Sequence, residues 1–263
     1  MKTEDQRMTR YEIRKAAAWI TLDSPENRNA LSAQLVSELH AHLESAMGDS
    51  DVRVVVLTSN GSAFCAGADL KQRGGGAGGG DADNPFVGIM RLMREGPKPV
   101  ICAVNGHAFG GGIGLVAAAD IAIAVDSAQF SFSEVRLGLI PAMISVAVLP
   151  KVGEHHTMRL FLTGERFSAH EAKGYGLLHR VVQASDLGSA VLADTDAILR
   201  GGPIAVAEAK QLVRTVSRLS IDEGFGYAAE KIAELFRSEE ASEGMKAFAQ
   251  KRPPAWAPQD EEA

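Results

Sequence analysis

The chain has 263 residues, 46% hydrophobic and 23% charged, with a net charge of −6. This is an ordinary soluble globular balance, suited to one large domain or a domain with a small appendage. It argues against a nucleic-acid binder, because no Lys/Arg cluster forms a basic groove, and against a membrane span, because the apolar runs are short and interrupted by Gly, Asn or Asp. The N-terminal MKTEDQRMTRYEIRK lacks the apolar core of a signal peptide. Two cysteines, Cys65 and Cys102, are too few for a disulfide framework, so the expected location is the reducing cytoplasm.

Tyr11 to Asp23 contains an extended stretch that ends in AAAWITLD, and the turn SPENRNALS follows. Ser32 stands where an N-cap belongs, ahead of AQLVSELHAHLESAM, whose Leu35, Leu39, Leu43 and Met47 share one helical face. Val52 to Thr58 is a continuous apolar run, as in a parallel strand buried on both faces. Pro99 to Val104 and Ile121 to Val125 repeat that signal, and QFSFSE follows with Phe130 and Phe132 on one face. Strands separated by helical segments imply crossovers and a mostly parallel sheet. From about His155 the pattern turns helical, interrupted by a short extended piece, LLHRVV. We expect a core domain over 1–200 and a helical layer over 201–263, packed on the sheet or on a neighbouring subunit. The low-complexity GGGAGGG at 74–80 reads as a surface loop.

VNGHAFGGGIGL, at 104–115, puts three glycines between a strand and a helix, and a fourth, Gly114, inside that helix. Gly112, Gly114 and Ala117 satisfy a G-x-G-x-x-A dinucleotide fingerprint, with Glu134 beyond. The context disagrees: Asn105 to Gly111 separate the strand from the motif, and Glu134 does not end a strand but runs into VRLGLIP. Small residues for helix–strand packing explain part of the stretch, but not the second glycine-bearing loop, SAFCAGADL, after VRVVVLT. A turn that opens a helix leaves backbone N–H groups unpaired at the positive end of the dipole. Two such donors from two loops make an oxyanion hole.

These segments resemble the crotonase, or enoyl-CoA hydratase/isomerase, superfamily over almost the whole chain. SPENRNALS resembles its first CoA-binding turn, SAFCAGADL and VNGHAFGGGIGL its two oxyanion loops, and FSEVRLGLIPA its catalytic-acid segment. LTGERFSAHEAKGYGLLHRVV and EGMKAFAQKRPPAW resemble the stretches that follow. The resemblance implies an α/β fold, a crotonase-type ββα spiral with a C-terminal helical layer. It implies an acyl-CoA substrate whose thioester carbonyl is polarised by the Ala68 and Gly111 amides, with Glu134 moving the proton. Ala30, Leu31, Ala66, Asp69 and Leu70 would lie near the CoA; Phe248 and Lys251 would help close its site, on the same or a neighbouring subunit. The assembly would be a homotrimer or a dimer of trimers. No metal and no cofactor is expected, since coenzyme A is part of the substrate.

The chain departs from the pattern at Gly114, where hydratases of this superfamily carry a second glutamate. A single glutamate can serve hydration if water delivers its OH and its proton to one face of the double bond. It can equally shift a proton between C2 and C4, which is isomerisation. A non-catalytic acyl-CoA binder is the third reading, though a binder has no need of Glu134. The segment SEVRLGLIPAMIS is closer to hydratases of methylglutaconyl-CoA and related branched substrates than to ordinary crotonases, which have a PGAGG-type turn there. Met143, Ile144 and Ser145 are therefore candidates, with Gly114, for the acyl pocket. We favour a hydratase, with the acyl group open. Taken alone, Glu134 reads as a surface or salt-bridged residue, paired with Arg136; Phe130, Phe132 and the apolar LGLIPAMISVAVL around it argue for a raised pKa instead. The seven histidines show no metal-ligand spacing, His107 reads as structural, Cys65 as a small buried residue, and Asp120 as the end of the glycine-led helix.

Overall fold

The computed structural model describes residues 7–70 and 84–258. The glycine run at 74–80 lies outside them. The stretch read as one extended segment is a hairpin, β1 (Thr9–Arg14) antiparallel to β2 (Ala17–Leu22). Lys15 and Ala16 turn it with positive φ of 46° and 60°, a two-residue turn made without the usual Gly or Asn signal. In α1 (Ala33–Gly48) the Ser32 hydroxyl accepts the Leu35 N–H at 3.2 Å, so the N-cap is as expected. Leu35, Leu39 and Leu43 are buried, and the last core position is Ala46 rather than Met47.

The chain then repeats one move. β3 (Val54–Ser59) is followed at once by β4 (Ala63–Cys65), then α2 (Pro85–Glu95). β5 (Val100–Val104) is followed by β6 (His107–Phe109), then α3 (Gly111–Ala118). β7 (Ile121–Val125) is followed by β8 (Gln129–Ser131), a one-turn 3-10 helix at Ser133–Leu137, and α4 (Ala142–Thr163), which kinks at Gly153. The helical part thus begins at Ala142, ahead of the expected His155. β9 (Arg166–Ser168), α5 (Ala169–Gly174), β10 (Arg180–Val182) and α6 (Leu187–Leu199) complete the core.

The long strands form a six-stranded sheet, β1-β2-β3-β5-β7-β10, parallel from β2 onward; the short ones form a second, four-stranded sheet, β4-β6-β8-β9. This is the ββα spiral that the resemblance implies. Its consequence is positional. Because β4, β6 and β8 are parallel neighbours, their C-terminal ends lie along one edge. The residues that leave those ends, after Cys65, Phe109 and Ser131, come from three successive turns of the spiral.

Three further helices follow: α7 (Pro203–Val216), α8 (Ile221–Leu235) and α9 (Glu239–Ala249). The Glu240 carboxylate accepts the Ile204 and Ala205 N–H groups at 2.9 and 2.8 Å and so caps α7 from α9. Asp120, after α3, ties α7 to the core. It accepts the Val100 N–H at 2.8 Å and pairs with Lys210 at 2.9 Å and Arg214 at 2.5 Å. Lys210 also donates to the Met93 and Lys98 carbonyls, both at 2.8 Å. Its burial pulls the ammonium pKa down, and Asp120 opposes that shift. Removing the carboxylate would strand two largely buried cations. Asp120→Asn is therefore expected to cost about 3 kcal/mol, read as a lower denaturant midpoint; an unchanged midpoint would show that α7 is held otherwise.

Candidate active site

The first oxyanion loop is built on the turn at 24–31. Arg28 and Asn29 both take positive φ, 59° and 54°. The buried Asn29 side chain accepts the Ser24 N–H at 2.8 Å and donates to the Asn60 and Ala63 carbonyls at 2.9 and 2.8 Å. This locks the turn beneath β4. The two segments then zip together: the Ala66 N–H donates to the Arg28 carbonyl at 3.0 Å, the Leu31 N–H to Gly67 at 2.8 Å, and the Asp69 N–H to Leu31 at 3.5 Å. Leu31 and Ala68 form a single parallel bridge. In that geometry the bonds on the Ala68 side are made by its neighbours, and the Ala68 N–H itself points away, onto an exposed face.

The second loop meets the first at Gly67, whose φ is +86°. A Cβ there would come within 2.9 Å of the Phe109 carbonyl and 3.5 Å of Gly111 N, so only glycine permits this approach. The Gly110 N–H is spent on the Ser131 carbonyl at 3.1 Å, and the Gly110 carbonyl accepts the first bonds of α3 from Ile113 and Gly114. Gly111 is the first residue of that helix, so its N–H has no intrahelical partner. Neither the Ala68 nor the Gly111 amide donates to an acceptor among the described residues.

β8 leads into the turn that carries Glu134, the candidate acid. Phe132 packs edge-on to Phe161 at 4.7 Å, and Phe130 and Phe132 both stack on Phe167. These rings seat the 3-10 turn that carries Glu134. The Glu134 carboxylate lies against Gly110: a Cβ on that glycine would meet Oε1 at 2.9 Å. Oε2 is buried and without a hydrogen-bond partner among the described residues. Arg136 is not its ion-pair partner; it turns toward the Thr163 carbonyl. Desolvation raises the Glu134 pKa, partly offset by its own backbone N–H. The result is a half-buried carboxyl group beside two unpaired amides.

The chain matches the family model for enoyl-CoA hydratase/isomerase over residues 12–259. It belongs to that family. It is 38% identical to a carnitinyl-CoA dehydratase of Proteus mirabilis over 246 residues, 90% of this chain and 93% of that one. Among solved structures it resembles an enoyl-CoA hydratase of Mycobacterium smegmatis (TM-score 0.88, 31% identity, 95% of this chain and 99% of that one). It also resembles an enoyl-CoA hydratase/isomerase of Marinobacter aquaeolei (TM-score 0.86, 35% identity, 95% and 99%).

Within this family member the residues named from sequence fall into groups. Ala30, Leu31, Ala66, Ala68 and Asp69 are together on the zipped turn, with Leu70 exposed at its end, and Gly111, Gly114 and Glu134 stand around α3. Of the acyl-pocket candidates, Ile144 packs directly against Gly114. Met143 sits with its sulfur 3.1 Å from Asn84 Nδ2. Ser145 donates to the Ala142 carbonyl at 2.6 Å and lines a different, apolar cleft of about 420 Å³ with Ile140, Leu149 and Leu162. Phe248 is 88% exposed, and its helix sits by Gly202 and the start of α7, where the chain beyond it reaches Arg53 before β3. Arg53 precedes β3, at the end of that strand away from the turn at 24–31, which Asn29 ties to Asn60 after β3.

Phe86 was missed. It is 8% exposed and would lie 3.6 and 3.4 Å from Cβ atoms built on Gly111 and Gly114. Its signal was present: Asn84 caps α2 by accepting the Phe86 N–H at 3.0 Å, with Pro85 at the first helical position. His107 Nδ1 accepts the Gln129 N–H at 3.1 Å, and burial pushes the Cys65 thiol up to about 12, so both are structural.

Glu134 makes a pH prediction for stability. Its pKa is raised in the folded state, so the folded chain holds that proton more tightly than the unfolded chain. The favourable contribution is present below the unfolded pKa and is lost as pH rises through the folded one. Glu134→Gln is therefore expected to melt above the parent at pH 7, with the gap closing below about pH 4. A variant that melts lower at pH 7 would contradict the burial argument.

Proposed function

We propose that this protein is an enoyl-CoA hydratase that adds water across a 2-enoyl-CoA thioester, with Glu134 as its one acid–base residue. The observation that carries the reading is the Glu134 carboxyl group lying against Gly110, its Oε2 without a hydrogen-bond partner among the described residues, beside the free amides of Ala68 and Gly111. The amides would donate hydrogen bonds to the thioester oxygen, which gains negative charge as the enolate forms; one such donor is typically worth on the order of 10²–10³ in rate. Glu134, ionised, takes a proton from water as its oxygen bonds to C3. The C2=C3 electron pair moves toward the thioester oxygen. When the enolate collapses, Glu134 returns the proton to C2 on the same face, for a net gain of one water. Run backwards, the same steps are a dehydration, the activity in the name of the Proteus relative.

A second reading is favoured by Gly114. With no carboxylate there, Glu134 could instead carry a proton between C2 and C4, an isomerisation. The Phe248–Lys251 segment bears on assembly: its distance from this chain's loops, and the exposed apolar Ile140, Val146 and Leu162 around the α4 cleft, support a homo-oligomer in which each copy covers its neighbour. The cytoplasm remains the proposed location.

Crotonyl-CoA, 3-methylglutaconyl-CoA, carnitinyl-CoA and a 3-enoyl-CoA would be incubated with the protein and the products weighed. A gain or loss of one water establishes the hydratase reading; a shifted double bond at constant mass replaces it with isomerase; binding without product replaces it with an acyl-CoA binder. Glu134→Gln is expected to lose on the order of 10²–10⁴ in turnover. Near-normal turnover in that variant would sink the assignment.

A further inference from the structure

Gly114 stands three residues after Gly111, the first residue of α3, and four after its N-cap Gly110, and the three glycines are closely packed by neighbouring side chains. Gly110 meets the Glu134 carboxylate. Gly111 meets Leu31 Cδ1 and the Phe86 ring edge. Gly114, one turn beyond Gly110, meets Ile144 and the same Phe86 edge. A Cβ built on Gly114 would fall inside the contact distance of Ile144 Cγ2, 3.1 Å from Ile144 Cβ and 3.4 Å from Phe86 Cζ. The room beside this glycine is therefore filled. Ile144 is 4% exposed and belongs to the main hydrophobic core, so its position is fixed by packing.

We infer that Ile144 is the specificity-determining residue of this site: it closes the wall one helical turn beyond Glu134, so that the site takes a short, uncharged acyl group. The inference rests on the acyl-CoA reading above. The wall it names is Ile144, Phe86 and Leu31, all apolar. A charged tail pressed against it would lose its hydration without gaining a partner. A long tail would need the volume that the Ile144 side chain holds. The same packing keeps the site to one carboxylate, because a larger side chain at position 114 has nowhere to go while Ile144 stays.

The test separates packing, binding and chemistry. Gly114→Ala, Ile144→Ala and the double variant would be melted alongside the parent. Gly114→Ala is expected to lower the midpoint by about 5 °C, and the double variant to melt higher than the two single losses summed predict. Additive losses, or a neutral Gly114→Ala, would overturn the packing claim. Dissociation constants of butyryl-CoA, octanoyl-CoA and glutaryl-CoA would then be measured by titration calorimetry, which needs no turnover. The parent is expected to bind butyryl-CoA most tightly. Ile144→Ala is expected to improve octanoyl-CoA relative to butyryl-CoA by roughly ten-fold. An unchanged ratio, or a parent that prefers glutaryl-CoA, overturns the proposal. Should these binding ratios hold while no thioester is turned over, the hydratase reading alone fails.

Discussion

A carboxylate can approach the first turn of a helix this closely only where no side chain stands in the way. At Gly110 that absence does two things. It admits Glu134 to the start of α3, and its N–H is spent on Ser131, so the strand that carries the acid is bonded to the residue the acid touches. The rest of the site follows from this contact. β8 must lie beside β6 for the bond to form, β6 must lie beside β4 for Gly67 to meet Phe109, and β4 must sit above the Asn29 lock for the first loop to be held. Each pairing is a few residues long and weak alone. The spiral stacks them so that all depend on the same buried strands β3, β5 and β7.

Polar groups are left unpaired at the site, as a few buried atoms are elsewhere among the described residues, such as Tyr11 Oη and Arg214 Nε. Buried polar atoms are almost always hydrogen-bonded, and an unmet one costs stability. Among the described residues, Glu134 Oε2 has no partner and the two nearby amides have no acceptor. A structure optimised only for stability would have satisfied these groups with one another. Instead the parallel bridge at Leu31–Ala68 turns one amide outward and the helix start turns out the other. The donors and the acid are thus held ready for an outside ligand. The caps and ion pairs far from the site, such as Asp120 with Lys210 and Arg214, supply the stability that this arrangement forgoes.

What was legible in the sequence was mostly local. The apolar runs gave β3, β5 and β7, because strands buried on both faces need no alternation; Ser32 gave the start of α1. Glycine-rich loops flagged both oxyanion segments. The short strands β4, β6 and β8 went unread because three residues carry no period. Asn84-Pro85 is a proper helix start for α2, but nothing local marks Phe86 as meeting the glycines of α3, a contact made only in the fold. Two departures from the family pattern were noticed separately: Gly114 in place of a glutamate, and PAMIS in place of a glycine-rich turn. Nothing in one dimension links them. In the fold they touch, and the volume missing at one is present at the other.

That exchange also changes the electrostatics. Two carboxylates close together push one another's pKa apart, so that one holds a proton while the other is ionised, and the roles of acid and base divide between them. Ile144 fills the space beside Gly114, and without a carboxylate there the proposed site would have no such division. Glu134 feels desolvation and no neighbouring negative charge among the shifts that govern it. On the proposed reading, any proton that enters the reaction would pass through this one group, on one face of the substrate. If the inference about Ile144 holds, one apolar contact would set the direction of proton transfer as well as the shape of the acyl group.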